Sequence, residues 1–173
     1  VVKVTNNGDV PADSMDTYVP IPKTGMNFGT QFQDENFKWD TTLSSAIIVP
    51  SGFEVLYSTD ASATNYLVDS SATYTTTPPS DLSKVVMVLI RSTSPVAAGD
   101  VVEMKLSLQV DETFASATAG NKIGTRNIYN PVYRVESEKI KGVLQGTRVG
   151  TELVIAEIGG LVFVDSNGDG LYK

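Results

Sequence analysis

Residues 101–110, Val101-Val102-Glu103-Met104-Lys105-Leu106-Ser107-Leu108-Gln109-Val110, alternate along their whole length. Val102, Met104, Leu106, Leu108 and Val110 fall on one face, and Glu103, Lys105, Ser107 and Gln109 on the other. A period of two is the pleat of an extended chain, and one apolar face predicts a half-buried antiparallel strand. The same rhythm recurs over residues 37–43 and 53–57. Residues 1–5, 15–21, 37–43, 53–57, 128–135 and 153–158 each read as strands, with Phe37, Trp39 and Leu43 inward. The continuous apolar run of residues 84–90 predicts a strand covered on both faces. Between them stand turn signals: Asn6-Asn7-Gly8-Asp9, Pro50-Ser51-Gly52, Ser94-Pro95 and a turn-rich stretch over residues 142–150. Residues 61–80, rich in Ser and Thr and closed by Pro78-Pro79, read as a surface excursion with a short strand at 66–68. Residues 114–124 read as a loop. Strands spaced by turns, without sustained helical periodicity, predict an all-β chain folded as an antiparallel β-sandwich.

Composition narrows the function. The chain has 173 residues, 41% of them hydrophobic, enough to build one core. It contains no cysteine and no histidine. Disulfides, thiolate nucleophiles and zinc–thiolate centres are thereby removed, as are Ser-His-Asp and Cys-His mechanisms. The acids that remain, such as Glu54, Glu103, Glu152 and Glu157, are scattered, with no spacing that pairs them for hydrolysis. Residues 146–150, Gly146-Thr147-Arg148-Val149-Gly150, lack the Gly-Lys-Ser/Thr ending of a phosphate loop. No enzyme is expected. A net charge of −7 argues against nucleic acid and anionic membrane, both of which call for a basic footprint. No apolar run approaches the ~20 residues of a membrane span.

The last residues carry the most specific signal. Gly160-Leu161-Val162-Phe163-Val164 runs into Asp165-Ser166-Asn167-Gly168-Asp169-Gly170. Oxygen-bearing side chains at alternate positions followed by glycine form the first half of a calcium loop. This ending resembles the opening strand and loop of collagen-adhesin B-type or Sdr-type repeats, which begin Gly-x-Val-Phe/Trp-x-Asp-x-Asn-x-Asp/Asn-Gly. Val2-Lys3-Val4-Thr5-Asn6-Asn7-Gly8-Asp9-Val10-Pro11-Ala12, followed by Tyr18-Val19-Pro20-Ile21-Pro22, resembles the start of Ig-like modules in bacterial surface proteins. Together they resemble a Gram-positive cell-surface adhesin. The resemblance implies an Ig-like antiparallel β-sandwich over residues 1–157 and the truncated start of a B-type repeat over 158–173, so that the chain is expected to be a piece of a longer protein.

The resemblance also implies chemistry. Asp165, Asn167 and Asp169 would be calcium ligands, and the carboxylate expected at the twelfth loop position falls beyond Lys173. Adhesins of this class hold Lys–Asn amide crosslinks beside a buried acid, which need a neutral lysine and a protonated carboxyl. Lys3 is the best-placed lysine, before Lys84 and Lys105; Asn127 or Asn130 would be the acceptor and Asp16 or Glu103 the acid. The simpler reading leaves Lys3 as an outward strand residue. Trp39 with Phe37 and Tyr57 is either a sugar platform or, more simply, core. The expected role is a structural or adhesive module at the cell surface or wall. Its partners would be adjacent domains of the same chain and a host or extracellular protein or glycan. The alternatives are a carbohydrate-binding or accessory module of a secreted enzyme, and a filament subunit that accepts a donated strand.

Overall fold

A computed structural model describes residues 1–26, 28, 37–64, 72–110, 125–146 and 149–152. The expected strands at 66–68 and 153–158, the loop at 114–124 and the whole calcium-like ending lie outside the described residues. Within them the chain is all-β. The strands are β1 Val2–Thr5, β2 Ser14–Pro20, β3 Thr41–Leu43, β4 Phe53–Ser58, β5 Met87–Ser92, β6 Val101–Met104, β7 Leu108–Val110, β8 Arg126–Tyr129, β9 Val132–Glu136, β10 Lys141–Gln145 and β11 Val149–Glu152. Two 3-10 turns, Ala61–Thr64 and Leu82–Lys84, are the helical elements among the described residues.

Five strands form the central antiparallel sheet, in the order β10-β9-β2-β5-β4. Three two-stranded antiparallel pairs accompany it: β1 with β6, β3 with β7, and β8 with β11. The sequence explains why β2 and β5 lie at the centre. Six consecutive residues of β2, from Met15 to Pro20, are buried, and so are residues 87–90 of β5, so both faces of each strand are covered. One face carries Met15, Val19, Val55, Val88 and Ile90, packed with Val4 of β1, Leu43 of β3 and Met104 of β6. The other carries Tyr18, Met87, Leu89 and Val132 under Phe28, Phe37 and Ala63 from connecting segments. Fully burying side chains of this size contributes about 1.5–3 kcal/mol each.

Several expectations need correction. The alternating run 101–110 is two strands, because its partner changes part-way: β6 pairs with β1 and β7 with β3. Leu108, expected inward, is 44% exposed. The run 128–135 breaks at Asn130-Pro131, where proline has no N–H for the ladder. Residues 142–150, expected as a turn, contain most of β10 and the start of β11, partners of β9 and β8. Of residues 37–43 only Thr41–Leu43 enters a ladder, although Phe37, Trp39 and Leu43 are buried as expected. The Ile47 N–H, outside any ladder, donates to the Tyr57 hydroxyl at 3.0 Å.

Candidate functional site

Asp165, Asn167 and Asp169 lie outside the described residues. Among those described, no group of three or more Asp or Glu side chains is arranged to hold a metal ion. The candidate crosslink residues are described; Lys3 meets Glu103, one of the two candidate acids, while Asp16 and Asn127 engage other partners. Lys3 stands outward on β1, its side chain 58% exposed and its Nζ 3.4 Å from the Glu103 carboxylate directly across the ladder. Asp16 on β2 accepts from Arg91 Nε at 2.9 Å and from Nη2 at 3.1 Å, a bidentate pair. That bond raises the Arg91 pKa above its already high value.

Asn127 is fully buried on β8 and acts as a peptide mimic. Its Oδ1 accepts from the Lys38 N–H at 2.7 Å and, more weakly, from the Trp39 N–H at 3.4 Å. Its Nδ2 donates to the Trp39 carbonyl at 2.8 Å. One amide side chain thus replaces the ladder that residues 38–39 lack, and it seats Trp39 in the interior. The indole Nε1 is itself buried without a hydrogen-bond partner among the described residues. Phe37, Trp39 and Tyr57 are core residues, and every described aromatic side chain is buried or half-buried. No described aromatic is exposed to stack on a sugar.

Strand registers reveal a constellation that sequence spacing hid. Arg134, Asp16, Arg91 and Glu54 are successive cross-strand neighbours on β9, β2, β5 and β4. They make an alternating row of charge across the sheet face that also bears Tyr18. Opposite charges on neighbouring strands stabilise the pairing. Burial raises the Tyr18 phenol pKa. Tyr74 is pushed higher still, first by burial and then by the neighbouring Tyr18 and Asp16. No local pattern connects these residues, since their neighbourhood exists only once the sheet is ordered.

A trough runs along β1. The Asn6 N–H donates to the Asp100 carbonyl at 3.0 Å, which sets the alternation of the β1–β6 ladder. Val2 and Val4 turn their backbone groups toward β6, while Lys3 and Thr5 turn theirs outward. No described strand pairs with that outer edge. Two cavities follow it, one of about 310 Å³ beside Val1–Lys3 and β11 and one of about 490 Å³ beside Lys3–Asp9 and the β9–β10 hairpin. The larger has an apolar floor of Val4, Met15, Tyr133, Val135 and Leu144. At its rim Lys139 Nζ donates to Asp9 Oδ2 at 2.6 Å. Among the described residues such an edge has no ladder partner for its donors and acceptors, and it lies beside apolar surface, the ingredients of strand addition. No protein-family profile, curated protein or solved structure matches this chain.

Proposed function

We propose that the chain is a non-catalytic structural or adhesive module of an extracellular bacterial surface protein, built as an Ig-like antiparallel β-sandwich. The observation that carries this reading is a set of long-range ties from side chains to backbone that fix the connections onto the sheets. Asn127 holds residues 38–39. Ser92 Oγ accepts from the Met15 N–H at 2.8 Å, and Asn6 Nδ2 donates to the Val96 carbonyl at 2.9 Å. Lys23 Nζ donates to the carbonyls of Thr41 and Ser83 at 2.7 and 2.8 Å. Polar groups spent in this way stiffen a body rather than converge on a reacting atom, as a stalk module requires. Calcium at Asp165, Asn167 and Asp169 would extend that stiffness into the following repeat, and neighbouring domains of the same chain would be its first partners.

Mechanical unfolding of single molecules tests the stalk. Pulled within a tandem array, the module should resist and then give one cooperative force peak. Extension without a distinct peak would sink the proposal. A second reading, a filament subunit that takes an extended strand from a neighbouring copy, is favoured by the open edge of β1. It predicts concentration-dependent association that disappears in a Lys3→Pro, Thr5→Pro double variant shown to melt cooperatively. A monomer at all concentrations rules it out.

A further inference from the structure

We infer that Asn7 is a site of spontaneous covalent modification, in which its side-chain amide is lost to the backbone nitrogen of Gly8. Two adjacent asparagines open the β1–β2 connection, and the structure separates their fates. Asn6 is fully engaged: its Nδ2 donates to the carbonyls of Val10 and Val96 at 3.0 and 2.9 Å, and its Oδ1 accepts from the Gly8 N–H at 3.0 Å. Asn7 is exposed and makes no hydrogen bond to any described residue. Its amide carbon is free to approach the next residue's nitrogen.

The clamp made by Asn6 also bears on what that next residue is. A Cβ at position 8 would stand 3.0 Å from Asn6 Oδ1, a tight contact that favours glycine there. The missing side chain that lets Asn6 close the turn also clears the path from Gly8 N to the Asn7 side chain. The Gly8 N–H has to leave Asn6 Oδ1 before its nitrogen can attack, and that bond is exposed to solvent, where water can replace it. In the step, Gly8 N bonds to Asn7 Cγ, the Cγ–Nδ2 bond breaks, and Nδ2 leaves as ammonia after gaining the Gly8 proton through solvent. Water then opens the five-membered imide at either carbonyl, giving aspartate or isoaspartate. Both products place a new carboxylate beside Asp9 and Lys139 at the rim of the trough, and isoaspartate lengthens the main chain there by one methylene.

The experiment is peptide mapping of the folded chain after storage in warm, mildly alkaline buffer, with fragmentation that distinguishes isoaspartate. A second Asn-Gly pair, Asn167-Gly168, serves as an internal clock. The expected result is loss of the Asn7 amide to both products, faster as pH rises, with Asn6 retained and with no conversion at position 7 in Asn7→Gln. Retention of the Asn7 amide while Asn167 converts would overturn the inference, because the turn would then be arresting the reaction. Conversion at Asn6 in the folded chain would overturn it equally. A parallel sample in urea reports the rate without the fold; conversion at Asn7 there but not in the folded chain is again a refutation.

Discussion

At the scale of single residues, Asn127 and Tyr74 make claims that can be measured. Asn127→Ala strips the Lys38 N–H and the Trp39 carbonyl of their partner inside the protein. Each stranded buried group costs about 1–3 kcal/mol, so a loss of roughly 3 kcal/mol or more is expected in urea denaturation. Asn127→Asp should behave differently. Its buried carboxyl would have a raised pKa, so that variant should recover stability as pH falls, whereas the alanine variant should not. Tyr74 governs the opposite end of the pH scale. In the unfolded chain its phenol ionises near the ordinary 10.0, and in the folded chain burial holds it higher. Its contribution is therefore fully present below pH 10 and is lost as pH climbs from there toward the folded value. With no histidine or cysteine in the chain, stability should stay nearly flat through neutrality and then fall from about pH 10. Tyr74→Phe should make that alkaline fall shallower without abolishing it, since Tyr18, Tyr129 and Tyr133 are also raised by burial. An unchanged slope in Tyr74→Phe would show that the phenol ionises alike in both states.

At the scale of elements, β1 gives the sharpest test, because one strand holds two kinds of amide. Val2 and Val4 face β6 and Lys3 and Thr5 face outward, so amide hydrogen exchange should alternate, slow at 2 and 4 and fast at 3 and 5. Uniform protection would mean that another strand lies along the open edge. The same strands show how much of the fold was legible in the sequence. Period-two alternation and apolar runs bounded by turn signals find residues that will be extended, and together they located the cores of β1, β2, β4, β5 and β6. They do not say where a strand changes partner. Nothing between Met104 and Leu108 marks the transfer from β1 to β3, because both halves keep the same rhythm while the sheet around them changes. Pro131, which cannot donate, stands at the β8–β9 break, and reading 128–135 as one strand passed over that signal. β10 was hidden for the opposite reason. Gly142 and Gly146 suggest turns, yet Val143 and Leu144 extend between them because β9 supplies a ladder, which is tertiary context overriding propensity. The candidate site was less legible still. Lys3, Asp16 and Asn127 were grouped by residue type, and the structure gives them three different partners.

At the scale of the whole molecule, the remaining question is whether the module is stiffened by metal beyond its own packing. The ending that suggests calcium supplies Asp165, Asn167 and Asp169, but the twelfth loop position, where a bidentate carboxylate is expected, falls beyond Lys173. The test melts this chain, and one extended by design past Lys173 so that a glutamate stands at the twelfth loop position, each in calcium and in chelator. A ligand present at about 100 times its dissociation constant stabilises by about 2.7 kcal/mol. For a chain of this size each kcal/mol moves the melting temperature by roughly 2–4 °C, so the expected shift is readily resolved. It should appear in the longer chain, shrink or vanish in this one, and be abolished by Asp165→Ala. Asp9→Ala, at the trough rim, should leave it intact, which separates a specific loop from general screening of a net charge of −7. If neither chain responds, calcium binding at the ending is ruled out, and any stiffness of the protein must come from its ladders and from ties such as those of Asn127, Ser92 and Lys23. If both respond alike and Asp165→Ala changes nothing, the ion is held elsewhere, and the acidic surface becomes the place to look.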